Sequence, residues 1–203
     1  MKEFWNEEIT KKSFEKLIEL NKKYDFILIG GWAIYMWTKA YKSKDIDIVV
    51  DYNNLDKLKK DYTIDKNETL KKFEIKQEFF DIDIYVPYFS ELGYPLEKLE
   101  KNYKTVEGFK VPSIEVLVIL KQFAEINRRN SLKGKKDSYD IALLFINGAD
   151  LKEYSKIIKK INKKYLKKEL KKAINSIDNK DYSYFNLSFN KFVKWKKDFL
   201  KKL

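Results

Sequence analysis

The chain has 203 residues, 44% apolar and 36% charged, the balance of a globular protein with room for one good core or for a small domain and a helical appendage. It contains neither cysteine nor histidine, which excludes disulfides, zinc thiolate sites, cysteine nucleophiles and every triad, general base or metal ligand built on imidazole. The net charge of +12 is unevenly placed: residues 1–150 hold 26 basic and 26 acidic groups, whereas residues 151–203 hold 17 lysines against 5 acids.

Residues Glu7 to Tyr24 read as an amphipathic helix, with Ile9, Phe14, Leu17, Ile18 and Leu20 on its apolar side. A short buried strand, Phe26–Ile29, runs into Gly30-Gly31, and a helix over Trp32 to Tyr41 follows the glycine turn. Ile46–Val50 is a strand, and Asn53 or Asn54 caps a helix through Leu55 and Leu58. Phe73–Gln77, Phe79–Val86 and Val106–Val111 read as strands, with irregular chain at Pro87, Gly93 and Pro95. From Pro112 onward the pattern is helical: Ser113 caps a very apolar helix to Ile126, and Asp137 or Ser138 opens another that ends at Asn147-Gly148. Two or three further amphipathic helices follow. One carries Ile157 to Ile174, and the last carries Phe185 to Leu203. Its aromatic residues recur at helical spacing, as core residues do. The expected fold class is α+β: a small mixed sheet with flanking helices over residues 1–111, then a helical domain with basic C-terminal helices over residues 112–203. The N-terminal stretch is too charged for a secretory leader, and no apolar run approaches the roughly 20 residues of a membrane span. The expected location is cytoplasmic, with no membrane partner.

The stretch from Ile27 to Val50, ILIGGWAIYMWTKAYKSKDIDIVV, carries the chemistry. Asp45 and Asp47 stand at i and i+2 of a strand and so share one face. Two carboxylates about 4 Å apart in a partly buried site repel by roughly 4 kcal/mol at an effective dielectric near 20. Either one stays protonated or a cation lies between them. Hard divalent ions take such oxygen ligands together with substrate phosphates. Gly30 and Gly31 permit close approach of backbone to a phosphate, and the helix after them offers unpaired N–H groups and a positive dipole end. Ser43 and Lys44 lie just before the acidic strand, where they could steer a triphosphate. A further alternating strand places Asp81, Asp83 and Tyr85 on one face. A lone Asp-x-Asp is most often a solvated strand end and a lone Gly-Gly a turn. Together they are a stronger signal, because each stands where the other needs it.

The order Gly-Gly, Asp-x-Asp and a later acidic strand resembles the polymerase-β-like nucleotidyltransferase superfamily over Asp25 to Pro87, and more weakly over Pro112 to Phe145. The resemblance implies that Gly30 and Gly31 bind the triphosphate. It makes Asp45 and Asp47 ligands of Mg²⁺ (or Mn²⁺), with a third acid completing a two-metal site. Asp83 is the choice for that acid, because an apolar run follows it; Asp81 is the spare, or a base. A second constellation, Lys121, Arg128, Arg129, Lys136-Asp137 and Asp140, is similar to a pattern in abortive-infection (type IV) toxin nucleotidyltransferases. There a helix lysine contacts phosphate and a following aspartate is needed for transfer. Lys121 and Asp137 or Asp140 are the matching positions. The bland alternatives are a snorkelling Lys121 and an Asp137 that caps a helix.

The function these resemblances imply is Mg²⁺-dependent transfer of a nucleoside monophosphate from an NTP to a hydroxyl. The acceptor would be an RNA 3′ end such as that of tRNA, drawn to the lysine-rich tail, or a protein or small molecule. An antitoxin is among the implied partners. The alternative is a catalytically inactive copy of the fold that binds nucleic acid or a partner protein.

Overall fold

The computed structural model describes residues 7–203, which divide into two compact units, residues 7–113 and 114–203. Residues 1–6, part of the charged stretch read above as no leader, lie outside the described residues.

The first unit opens with α1 (Glu7–Lys23), whose buried Thr10, Ser13, Leu17 and Leu20 recur at alternating steps of three and four, the spacing of one helical face. Glu7 and Glu8 in its first turn and Lys22 and Lys23 in its last both complement the helix dipole. Next come β1 (Ile27–Ile29), α2 (Gly30–Thr38), β2 (Ile46–Val49), α3 (Tyr52–Asp61), β3 (Asp65–Asn67), β4 (Lys72–Lys76) and β5 (Asp81–Tyr85). The five strands form one mixed sheet in the order β1-β2-β5-β4-β3, in which β2 and β5 are parallel and the other pairs antiparallel. Period-2 alternation divides its two faces. Ile46, Ile48, Ile82 and Ile84 are wholly buried, each contributing about 1.5–3 kcal/mol, and the acidic side chains between them take the other face. The indole Nε1 of Trp32 donates to Ser13 Oγ at 2.9 Å and ties α2 to α1.

Several expectations are corrected within this unit. The cap of α3 is Asp51, whose Oδ1 accepts from the Asn54 N–H at 2.7 Å, rather than Asn53 or Asn54. The single strand expected over Val106–Val111 is a hairpin, β6 (Tyr103–Val106) and β7 (Phe109–Pro112). Glu107 and Gly108, at φ 50° and 81°, make the two-residue turn that matches strand twist. The short edge strand β3 gave no signal, because its Asp-Lys-Asn sequence has neither apolar alternation nor β-branched residues.

The second unit is helical: α4 (Ile114–Arg128), α5 (Leu132–Ile146), α6 (Leu151–Lys160), α7 (Leu166–Ser176) and α8 (Phe189–Lys202), with a 3₁₀ segment at Asn179–Phe185. Helix α5 begins well before the expected Asp137 or Ser138. Ser131 is its cap, accepting from the Gly134 N–H at 3.0 Å. Gly134 allows α5 to pass close to the end of α4, since a Cβ there would lie 2.1 Å from the Arg128 carbonyl oxygen. The helix expected through Ile157 to Ile174 is two, broken between α6 and α7 where Asn162 takes φ 57°. Phe185 lies in the 3₁₀ segment and not in the last helix. It stacks on Phe192 with ring centroids 4.5 Å apart, and Phe199 packs on Phe145 at 4.6 Å. These rings are buried core.

Candidate functional site

The acidic face of the sheet is built by register. Asp47 on β2 lies directly opposite Asp83 on the parallel β5, one step along from the Ile46–Ile82 pair. Asp45 stands just before β2, and its Oδ1 accepts from the Asp81 N–H at 3.3 Å. Three carboxylates from two neighbouring strands, Asp47, Asp81 and Asp83, therefore share one surface, with Asp45 bonded to the start of β5 from the loop entering β2. Asp81 is its outer member, with a side chain 42% exposed.

The glycine turn is fitted to this surface. Gly30 starts α2 at φ +64°, and a Cβ on it would lie 2.0 Å from Asp47 Oδ2. The Asp47 carboxylate occupies the space that a side chain at residue 30 would need. Gly31 is in the same position toward Ser43, whose Oγ would lie 2.5 Å from a Cβ there. Ser43 Oγ donates to the Asp45 carbonyl at 3.0 Å, which fixes the loop entering β2. Lys44 is half-buried in that loop. In the sheet unit, then, Gly30, Gly31, Ser43, Asp45, Asp47 and Asp83 are brought to one end of the β1–β2–β5 ladder.

Two residues were missed by the sequence reading. Strand β4 alternates as Lys72-Phe73-Glu74-Ile75-Lys76, with Phe73 and Ile75 in the core, so Lys72, Glu74 and Lys76 share the acidic face. Glu74 lies opposite Asp83 in register. Lys72 Nζ lies 2.7 Å from both Asp83 Oδ2 and Glu74 Oε1, and its side chain is only 11% exposed. The same period-2 rule that placed Asp81 and Asp83 would have found them; what was lacking was the knowledge that β4 pairs with β5.

The electrostatics follow from this crowding. Burial, then the neighbouring Asp47 charge, push the Asp83 carboxyl up to about 6, and Lys72 only partly offsets them. Glu74 moves the other way, held below its ordinary value first by its hydrogen bond from Lys72. Burial would lower the Lys72 ammonium, but Asp83 and Glu74 together leave it raised. The same lysine thus meets one stabilised and one strained carboxylate. The difference is first that Asp83 is the more deeply buried of the two, and second that it also faces Asp47. Asp83 Oδ1 is buried with no hydrogen-bond partner.

The helical unit holds Lys121, Asp137 and Asp140 together in a buried ionic network. Lys121 Nζ lies 3.2 Å from Asp137 Oδ1 and 2.9 Å from Asp140 Oδ2. Arg128 forks onto Asp137 through Nε at 2.7 Å and Nη2 at 3.0 Å, and Lys136 reaches Asp140 Oδ2 at 3.1 Å. Asp137 is 2% exposed and lies inside α5, so the capping alternative is withdrawn. Burial alone would raise the Asp140 carboxyl, but Lys121 and Lys136 outweigh it and hold it low. Arg129 belongs to a separate cluster, bidentate to buried Glu125 at 2.6 and 2.7 Å and bonded to Glu169 at 2.7 Å.

Among the described residues no group of three acids stands ready to hold a metal ion. The donor types nevertheless suit a hard divalent cation: they are all carboxylate oxygens, and one of them is an orphaned buried atom. No helix among the described residues is long and apolar enough to cross a membrane. No protein-family model matches the chain, and no curated protein matches it.

Proposed function

We propose that the protein is a nucleotidyltransferase that moves a nucleoside monophosphate from an NTP to a hydroxyl acceptor. The observation that carries this reading is the direct pairing of Asp47 with Asp83 beside a glycine whose missing side chain makes room for the Asp47 carboxylate. Mutually repelling carboxylates cost stability unless a cation offsets them. Asp45, Asp47 and Asp83 are the residues that would hold Mg²⁺ or Mn²⁺, which when bound lowers the pKa of an attacking hydroxyl and offsets charge on the phosphates. The N–H groups at the start of α2 and the Gly30-Gly31 backbone would bind the β- and γ-phosphates. In the reaction the acceptor oxygen bonds to the α-phosphorus. The bond from that phosphorus to the α–β bridging oxygen breaks, and pyrophosphate leaves. Asp81, on the same face and partly exposed, is the group assigned to receive the hydroxyl proton.

The proposed acceptor is RNA. Lys159, Lys160, Lys164, Lys167 and Lys168 are exposed around the α6–α7 turn, and Tyr165 stands among them 53% exposed. Clustered ammonium groups attract a phosphate backbone, and an exposed ring offers a base a stacking surface. The deciding experiment is incubation of the protein with each labelled NTP, Mg²⁺ and total RNA or cell lysate, with Asp47→Asn as control. Label on an RNA band that the variant does not label supports the reading and names the base preference. Absence of label together with absence of NTP binding by calorimetry removes it.

One observation favours a second reading. Lys72 already occupies part of the acidic face. An inactive binding module would show RNA affinity indifferent to Mg²⁺ and to Asp47→Asn.

A further inference from the structure

The acidic face carries a cation of its own. Lys72 is enclosed, whereas Lys76, its neighbour in the same alternation, is 55% exposed and stands farther from its acids, 3.4 Å from Glu74 and 3.3 Å from Asp81. Immobilising and desolvating a lysine is unfavourable, and here the two carboxylates at 2.7 Å offset it. We propose that Lys72 is the resident counter-ion of this face and competes with the divalent ion for Asp83, so that it sets the metal concentration at which the site loads. The inference rests on the reading of Asp45, Asp47 and Asp83 as metal ligands.

The two oxygens of Asp83 are unequal. Oδ2 is held by Lys72, and Oδ1 is buried without a partner. Any cation drawn to Oδ1 enters the field of an ammonium bound to the other oxygen of the same carboxylate. In a poorly solvated site that repulsion is weakly screened. Glu74, opposite Asp83 in register, gives the lysine a second seat on the same face. Lys72 can therefore shift its weight to Glu74 as Asp83 turns to a metal ion, without being expelled into water. Without an ion, the lysine relieves the repulsion between Asp47 and Asp83. The same side chain thus stabilises the metal-free protein and opposes its loading.

The test is Mn²⁺ binding to the full chain without nucleotide, measured by calorimetry and by loss of the free-Mn²⁺ electron paramagnetic resonance signal. Wild type is compared with Lys72→Met, Lys72→Arg, Lys76→Met and Asp47→Asn. The expected result is Mn²⁺ binding about tenfold or more tighter in Lys72→Met, since the competing charge is gone. Lys72→Arg keeps the charge and Lys76→Met removes only a solvent-screened one, so both should stay within about twofold of wild type. Lys72→Met should also melt at a lower temperature in chelator and recover with Mn²⁺. If it folds only when Mn²⁺ is present, that supports the proposal equally. A Lys72→Met chain that Mn²⁺ does not rescue overturns it, as does a folded one that binds Mn²⁺ no tighter than wild type. Mn²⁺ binding by wild type that Asp47→Asn abolishes, with no gain in Lys72→Met, sinks this inference alone. If neither wild type nor Lys72→Met binds Mn²⁺, the metal-site reading fails with it.

Discussion

Replacing Gly30 with alanine tests the fit between the glycine turn and the acidic face. Two separate penalties are expected. The backbone sits at φ +64°, where an L side chain costs about 1–2 kcal/mol. The new Cβ would also meet Asp47 Oδ2, Cγ and Cβ at 2.0, 2.5 and 2.8 Å. Rotating the Asp47 carboxylate cannot relieve this, because Asp47 Cβ is itself too close. The turn must therefore move away from β2, and overpacking of this kind costs about 1–3 kcal/mol. Gly108 in the β6–β7 turn provides the control. It has φ +81° and nothing within 4 Å of a Cβ position, so Gly108→Ala carries the backbone penalty alone. Urea denaturation should show Gly30→Ala to be less stable than Gly108→Ala by about 1–3 kcal/mol. Calorimetry should show loss of Mg²⁺-dependent NTP binding in Gly30→Ala but not in Gly108→Ala. Equal stability of the two variants, or unchanged nucleotide binding in Gly30→Ala, would refute the claim that the absent side chain at residue 30 is what seats Asp47.

Three further outcomes are expected. The Asp83 pKa is raised to about 6, so between about pH 4 and 6 the folded chain holds a proton that the unfolded chain has lost. Asp83 therefore makes stability fall as pH rises through that window, by roughly 3 kcal/mol at most, and adds no slope above it. The wild-type minus Asp83→Asn difference in urea stability, measured in chelator from pH 4 to 8, isolates this slope; a flat difference curve contradicts it. In the helical unit, Lys121→Met removes one cation from two buried acids that keep Arg128 and Lys136, and should cost about 1–3 kcal/mol by urea denaturation. A cost below about 0.5 kcal/mol would show that Lys121 does not hold this network together. Gly134→Ala should destabilise by about 1–3 kcal/mol or more, because the added Cβ meets the Arg128 carbonyl oxygen at 2.1 Å, which only a shift of α5 away from α4 can relieve. Wild-type stability in that variant would mean that the α4–α5 contact is looser than described.

Local chemistry alone made much of the protein legible. Alternation in Ile46–Val49 and Asp81–Tyr85 marked two strands and assigned their acids to one face, because side-chain direction in a strand depends only on position parity. Helical periodicity marked the second unit, and Asn147-Gly148 marked the end of α5. The α+β architecture followed from these patterns. Caps were less legible: Ser131 and Asp51 each compete with several neighbouring Ser, Asp and Asn residues, and the choice depends on which side chain meets an N–H in three dimensions.

Strand order and proximity could not be read in this way, because they join segments far apart in sequence. The parallel pairing of β2 with β5 sets Asp47 against Asp83 across thirty-five intervening residues. The pairing of β4 with β5 brings Lys72 and Glu74 to the same acids. The packing of α5 on α4 turns Asp137 from an apparent helix-start residue into a partner of Lys121 and Arg128, and sets Asp140 against Lys121. Sequence determined which faces carry charge; the tertiary structure decided which charges meet, and at distances of about 3 Å that decides whether a carboxylate is stabilised, strained or left with an unused oxygen.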